Sequence, residues 1–221
     1  MNEIAADVFQ LPLVPRNGIN AYVIGDVLVD AGLASSAKKI VKAVAGRTLR
    51  AHALTHAHVD HAGGSRRLVD QLELPLWAPA GDAGDVVSGE PALATTRLRA
   101  LMAFVGGFDG VDVVRELREG DEVAAGFVVV ELPGHSPGQV GYWRESDRVL
   151  LTGDVLTNMS LLTTKVGLHL PPDVVTVDPG RNRESARRVA ALEPRVVGFG
   201  HGPVLRDAAP AITAFVAGMS G

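Results

Sequence analysis

The period of apolar and polar positions changes several times along this chain, and the changes divide it into elements. Short β-branched runs come first: DVFQLPLV (7–14), NAYVIG (20–25) and VLVDAG (27–32). Each is bounded by Pro, Asn or Gly, which predicts successive strands. SSAKKIVKAVAG (35–46) opens on Ser, sets Ile40, Val41 and Val44 at helical spacing and stops at Gly46, which predicts a helix. LRAHALTH reads as a strand, GGSRRLVDQLE as a helix and PLWAPA (75–80) as a further strand, so the first half alternates in the manner of an α/β protein.

Residues 81–111 follow no clear period around the apolar segment LMAFVGGF (101–108). That segment is expected to be either a buried helix or a cover over a site, with Phe104 and Phe108 excluding water and Gly106 and Gly107 as the hinge. From 112 onward DVVRELREGDEV, GFVVVELPG, QVGYWRES and RVLLTGD predict antiparallel strands joined by polar turns. A loop rich in Thr and Pro leads to a helix in NRESARRVAALEP, a strand in RVVGFGHG and a closing helix in AAPAITAFVAGM. The pattern fits one domain over 1–221, with a sheet-on-sheet core and helices outside.

Composition narrows the functional classes. Of 221 residues 47% are apolar, ample for a core, and the formal charge of −4 leaves no basic field for nucleic acid or an anionic membrane. Neither is an expected partner; a small-molecule substrate is. The start, MNEIAADVFQLP, lacks a basic, apolar leader pattern, so the expected location is cytoplasmic. Oligomeric state stays open, a homodimer included. With no cysteine in the chain, any metal must sit on His and carboxylate side chains.

Those side chains are concentrated in THAHVDH, where His56, His58, Asp60 and His61 fall together in a chain of seven histidines. The i, i+2 spacing brings His56 and His58 out on one side of an extended strand end, while Asp60 and His61 continue round the loop. A catalytic zinc takes three protein ligands and keeps one position open, so four donors are too many for one open site and too few for two. The remainder come from LPGHSPGQV (His135), LTGDVL (Asp154) and GFGHGP (His201), each at a predicted strand end among small residues. Taken singly, His201 reads as a loop or core histidine and Asp154 as a turn residue. Taken jointly, seven donors divide into two sites of three, with a carboxylate between them. His52 and His169 are left over: His52 reads as an ordinary strand or surface histidine, and His169 stands in the loop after Asp154, where it either borders the cavity or does not.

The ordered set HxHxDH, His, Asp, His resembles the signature of the metallo-β-lactamase-fold hydrolases, and the likeness runs from NAYVIG and VLVDAG to GHGP. The resemblance implies an αββα sandwich of two mixed sheets with outer helices. It implies that His56, His58 and His135 hold one metal, that Asp60, His61 and His201 hold a second, and that Asp154 bridges them. Asp30 in LVDAG matches the family's first acidic position, which supports the ligands by hydrogen bonds. Two Zn²⁺ are expected from the donor types, with iron or manganese accepting the same set.

Such a pair, about 3.5–4 Å apart, turns a bridging water into hydroxide that attacks an ester-like bond, with Asp60 orienting it or taking its proton. Asp154 speaks against a true β-lactamase, because those enzymes place Cys or Ser there, and for the branch of hydroxyacylglutathione hydrolases and lactonases. Glutathione specificity is not expected, since twenty residues follow His201 where those hydrolases carry a basic helical extension. The expected reaction is hydrolysis of a thioester or lactone. Its rivals are a phosphodiesterase, a mononuclear iron persulfide dioxygenase and a metal-binding module without turnover. The dioxygenase branch has a GRTDF-like segment where this chain reads GDVLTNMSLLTTK.

Overall fold

The computed structural model describes residues 1–93 and 107–219. Strands β1 (Asn2–Ala5), β2 (Val8–Pro12), β3 (Asn20–Ile24), β4 (Val27–Val29), β5 (Ala51–Ala53), β6 (Leu76–Pro79) and β7 (Val113–Leu117) form one sheet in that order. The first four run antiparallel, and β4 through β7 pair in parallel. Strands β8 (Val128–Glu131), β9 (Val140–Arg144), β10 (Val149–Leu151), β13 (Val196–Gly198) and β14 (Leu205–Arg206) form a second sheet, ordered β14-β13-β10-β9-β8. A two-stranded ribbon, β11 (Thr157–Met159) and β12 (Val166–His169), stands apart from both.

Strands β3, β4, β5, β6, β9, β10 and β13 are buried along their whole length because both faces of the sheets are covered there, whereas β1, β7 and β14 at the sheet edges expose polar residues. In the first sheet Tyr22, Ile24, Val27 and Val29 meet Val129, Tyr142, Val149 and Leu151 of the second, making the central core. The alternate residues Ala21, Val23 and Leu28 turn outward onto helices α1 (Ala37–Ala43) and α3 (Ser65–Leu72) through Ile40 and Leu68. On the opposite outer face Val130, Trp143 and Leu150 pack on Val189 of α5 (Pro179–Ala191) and Ile212 of α6 (Ala208–Ala217). Three apolar interfaces therefore define four layers, the αββα sandwich expected from the sequence. Two short helices, α2 (Val59–Ala62) and α4 (Ala83–Ser88), sit at strand ends.

Two sequence expectations need adjustment. The strand at 113–117 does not continue an antiparallel run: it joins the first sheet in parallel beside β6, and the second sheet begins only at β8. Part of the Thr- and Pro-rich loop forms the β11–β12 ribbon. Of the segment 101–108, residues up to 106 lie outside the described residues, Phe104 among them. Phe108 packs partly buried against Leu54, Leu76, Val86 and Val111, which places that residue with the core. Among the described residues no helix is long and apolar enough to cross a membrane.

Candidate metal centre

The strand ends that carry the donors converge. His56 and His58 follow β5, Asp60 and His61 lie on α2, His135 follows β8, Asp154 follows β10 and His201 follows β13. The structure brings the seven expected residues into two groups, His56 with His58 and His135, and Asp60 with His61, Asp154 and His201. Within each group the donor atoms lie within 4.8 Å of one another. All are buried except Asp60, which is partly open to the cavity. Asp154 reaches toward both groups: its Oδ2 is 2.9 Å from His201 Nε2, 3.5 Å from His61 Nε2 and 3.7 Å from His135 Nε2.

Four of the five imidazoles are held by the nitrogen that faces away from the cluster. Nδ1 of His56 lies 3.1 Å from Thr55 Oγ1, that of His61 2.8 Å from Asp30 Oδ2, that of His135 3.2 Å from Thr176 Oγ1 and that of His201 2.5 Å from Gly18 O. Their Nε2 atoms are thereby turned inward. His58 is held the other way, Nε2 lying 3.3 Å from Ala92 O and Nδ1 2.9 Å from His135 Nε2.

Asp30 stands where the family pattern puts it, and its geometry says why. It sits just past β4 with φ of 61°, a left-handed conformation that costs energy in most residues and is better tolerated by Asp. From there its carboxylate accepts Thr55 N at 2.8 Å and Thr55 Oγ1 at 2.9 Å besides the His61 ring.

Do these residues fit a metal? His56 Nε2, His61 Nε2 and Asp154 Oδ1 are buried without a hydrogen-bond partner among the described residues. Buried polar atoms are rarely left so, and three of them inside one histidine and carboxylate cluster match a cation's donor set. Gly200 supports the reading: a Cβ there would collide with the Asp154 carboxylate and come within 2.5 Å of His61 Cε1.

The two groups differ in charge. In the first, burial pushes His135 down to about 3 and His56 well below its ordinary value, with neighbouring imidazoles adding to the effect. Both are neutral and ready to donate a lone pair. In the second, burial would lower His61 and His201, but the Asp154 carboxylate outweighs it, holding His61 well above its ordinary value and pushing His201 up to about 10. Burial would raise Asp60 and Asp154, yet the hydrogen bond from His201 to Asp60, and the charges of His201 and His61 beside Asp154, hold both carboxyls below their usual range. A metal entering this group must displace protons.

A cavity of about 220 Å³ opens on the cluster. His58, Asp60, His135, Asp154 and His201 line it together with Val59, Pro91, Leu93, Leu161 and Val175. No Lys or Arg lines it among the described residues. Neither leftover histidine is there: His52 is fully buried in β5, and His169 lies on β12 outside the cavity lining. Sequence reasoning missed Thr55 and Thr176, which steady the rings of His56 and His135, and the close approach at Gly200; Thr55 and Gly200 adjoin His56 and His201 in the chain, whereas Thr176 carried no local signal.

The family model of the metallo-beta-lactamase superfamily matches residues 14–201, and the chain belongs to that superfamily. The probable metallo-hydrolase YflN of Bacillus subtilis (strain 168) is 30% identical over 197 residues, covering 80% of this chain and 75% of that protein. A hydroxyacylglutathione hydrolase of Bdellovibrio bacteriovorus is 31% identical over 111 residues, which is 49% of this chain and 35% of that enzyme. Among solved structures, TTHA1623 in a di-iron-bound form superposes with a TM-score of 0.71 at 31% identity, covering 92% of this chain and 96% of that one. The coarse function follows: a metallo-hydrolase superfamily member with clustered metal-binding histidines and aspartates.

Proposed function

We propose that this superfamily member is a dinuclear hydrolase of ester-like bonds, a thioester or a lactone, acting on a small molecule with an apolar group. The observation that carries the reading is the convergence of seven donors in two groups beside a cavity whose other lining residues are apolar. His56, His58 and His135 would hold one cation, Asp60, His61 and His201 the other, and Asp154 would serve both. Two divalent cations so held supply the Lewis acidity that activates water and polarises a carbonyl oxygen.

The chain's own residues do the rest. Asp60, with Oδ2 3.2 Å from His201 Nε2, stays ionised and can accept a hydrogen bond from an incoming water, which orients that water. Val59, Leu161 and Val175 cover an acyl or leaving group and keep bulk water out. A cavity without Lys or Arg among its described lining suits an uncharged substituent better than a phosphodiester or the carboxylates of glutathione. The partial likeness to a hydroxyacylglutathione hydrolase therefore bears on the bond cleaved rather than on the leaving group. Zinc suits the N and O donors, and the likeness to a di-iron protein makes iron the second reading.

The test is elemental analysis of the purified protein together with hydrolysis of a panel of thioesters, lactones, β-lactams and phosphodiesters. Two equivalents of metal with turnover of thioesters or lactones are expected. One equivalent, unchanged by added zinc, points to a mononuclear iron dioxygenase. Turnover of phosphodiesters alone assigns that branch, and full metal content with no turnover of any ester leaves a non-catalytic module.

A further inference from the structure

Asp82 is a buried carboxylate that the proposed reaction does not use. It is 0% exposed and stands at the N-cap of α4, where an aspartate ordinarily accepts from its own helix. Here the side chain makes no capping bond. It turns instead to two distant loops: Oδ2 accepts Ala57 N at 3.0 Å and Ser136 Oγ at 2.6 Å, and Oδ1 accepts Gly138 N at 2.6 Å.

The partners are telling. Ala57 lies between His56 and His58, and Ser136 follows His135, so one carboxylate ties together both chain segments that carry the first histidine group. The backbones are shaped for this approach. A Cβ on Gly81 would fall 2.7 Å from Gly138 Cα, so the two loops meet glycine against glycine. In the second group the His61 ring is held directly by Asp30, whose carboxylate also accepts from Thr55 beside His56, whereas the hydrogen bonds of the Asp82 carboxylate go to the first group's two segments alone among the described residues.

We propose that Asp82 is a positioning residue for the first metal site alone. It sets the distance between the His56–His58 segment and the His135 loop, and so the affinity of that site, while the His61 ring of the second site is held by Asp30 and shares no hydrogen bond with Asp82. The proposal rests on the two-site reading above. Residues that orient metal ligands typically change affinity by about 10–100-fold when removed. Side chains that only stabilise a fold lower both sites together.

The test is Zn²⁺ titration of chelator-stripped full-length protein against a competing chelator, with Co²⁺ absorption as a second readout. His58→Ala and His61→Ala provide reference proteins lacking a ligand of the first and second site. Asp82→Ala is expected to weaken one equivalent about 10–100-fold, to leave the other within about twofold of wild type, and to give the Co²⁺ spectrum of His58→Ala. Equal weakening of both equivalents, unchanged affinities, or the spectrum of His61→Ala would overturn the proposal. If Asp82→Ala does not fold, Ser136→Ala and Asp82→Asn remove single bonds of the same set and are judged by the same criteria. Wild-type protein that takes up only one equivalent fails the two-site reading alone. The role of Asp82 is then scored on that equivalent, and an Asp82→Ala protein that binds it as wild type does overturns the proposal.

Discussion

His52 should make this protein acid-labile, by an amount that the structure allows to be worked out. It lies in β5, fully buried, with Nε2 2.9 Å from Ser65 Oγ and Nδ1 3.3 Å from Leu28 O. Burial lowers its pKa from 6.5 to about 4, against smaller upward effects from the Leu28 carbonyl and Asp30. The folded state therefore binds fewer protons than the unfolded chain between those two values. Stability is full above the unfolded value and is lost as pH falls toward the folded one. At 1.36 kcal/mol per pH unit, the loss attributable to this one ring between pH 8 and pH 5 is about 2 kcal/mol. His52→Gln keeps a polar group near Ser65 but cannot take up a proton. At pH 8 the variant should be less stable by about 1 kcal/mol, the usual cost of a disturbed buried hydrogen bond. At pH 5 it should equal or exceed wild type, because only wild type has lost the titration energy. Urea unfolding of chelator-stripped protein at the two pH values measures both differences, and the site histidines, common to both proteins, cancel. A stability difference that is the same at pH 8 and pH 5 would refute the reasoning.

Three further outcomes are expected. Gly200→Ala should leave far-ultraviolet circular dichroism unchanged and lower metal affinity about 10–100-fold, since the added methyl group meets Asp154 and His61; wild-type metal content in a chelator competition would show that the loop relaxes freely. Asp60→Asn should cut kcat by about 10²–10⁴-fold while the fold is kept, and near-normal turnover with full metal content would remove Asp60 from the mechanism. The double variant Leu161→Ala/Val175→Ala should raise KM for an octanoyl thioester by about tenfold or more and that for the acetyl thioester much less, as follows from about 0.8 kcal/mol per buried methylene; equal responses would place the substrate's apolar group elsewhere.

The sequence by itself determined which side chains are the candidate donors. Seven His and Asp side chains, their order and the absence of cysteine are properties of the chain, and a two-residue spacing at a strand end already brings His56 and His58 to one side. The strands around Tyr22, Leu28 and Tyr142, and the helices at 37–43 and 179–191, were legible for the same reason: their apolar periods are local.

Only the tertiary structure decided the rest. That β7 pairs in parallel with β6 and not with the strands after it depends on which sheet edge is open, and a strand's own period is the same in either place. In β4, Val27 and Val29 face the central core and Leu28 faces the helices, a division that an unbroken apolar run does not reveal until both faces are covered. The neutrality of His52 depends on the layers that bury it, whereas its sequence surroundings fit a strand or surface histidine equally well. Asp82 carries no local signal of its role, because its partners are 25, 54 and 56 positions away and no short pattern records an approach over that distance. Sequence periodicity reports which side of an element is apolar; which loops meet beyond the strand ends, and therefore what holds the ligands in place, is fixed by packing between elements far apart in the chain.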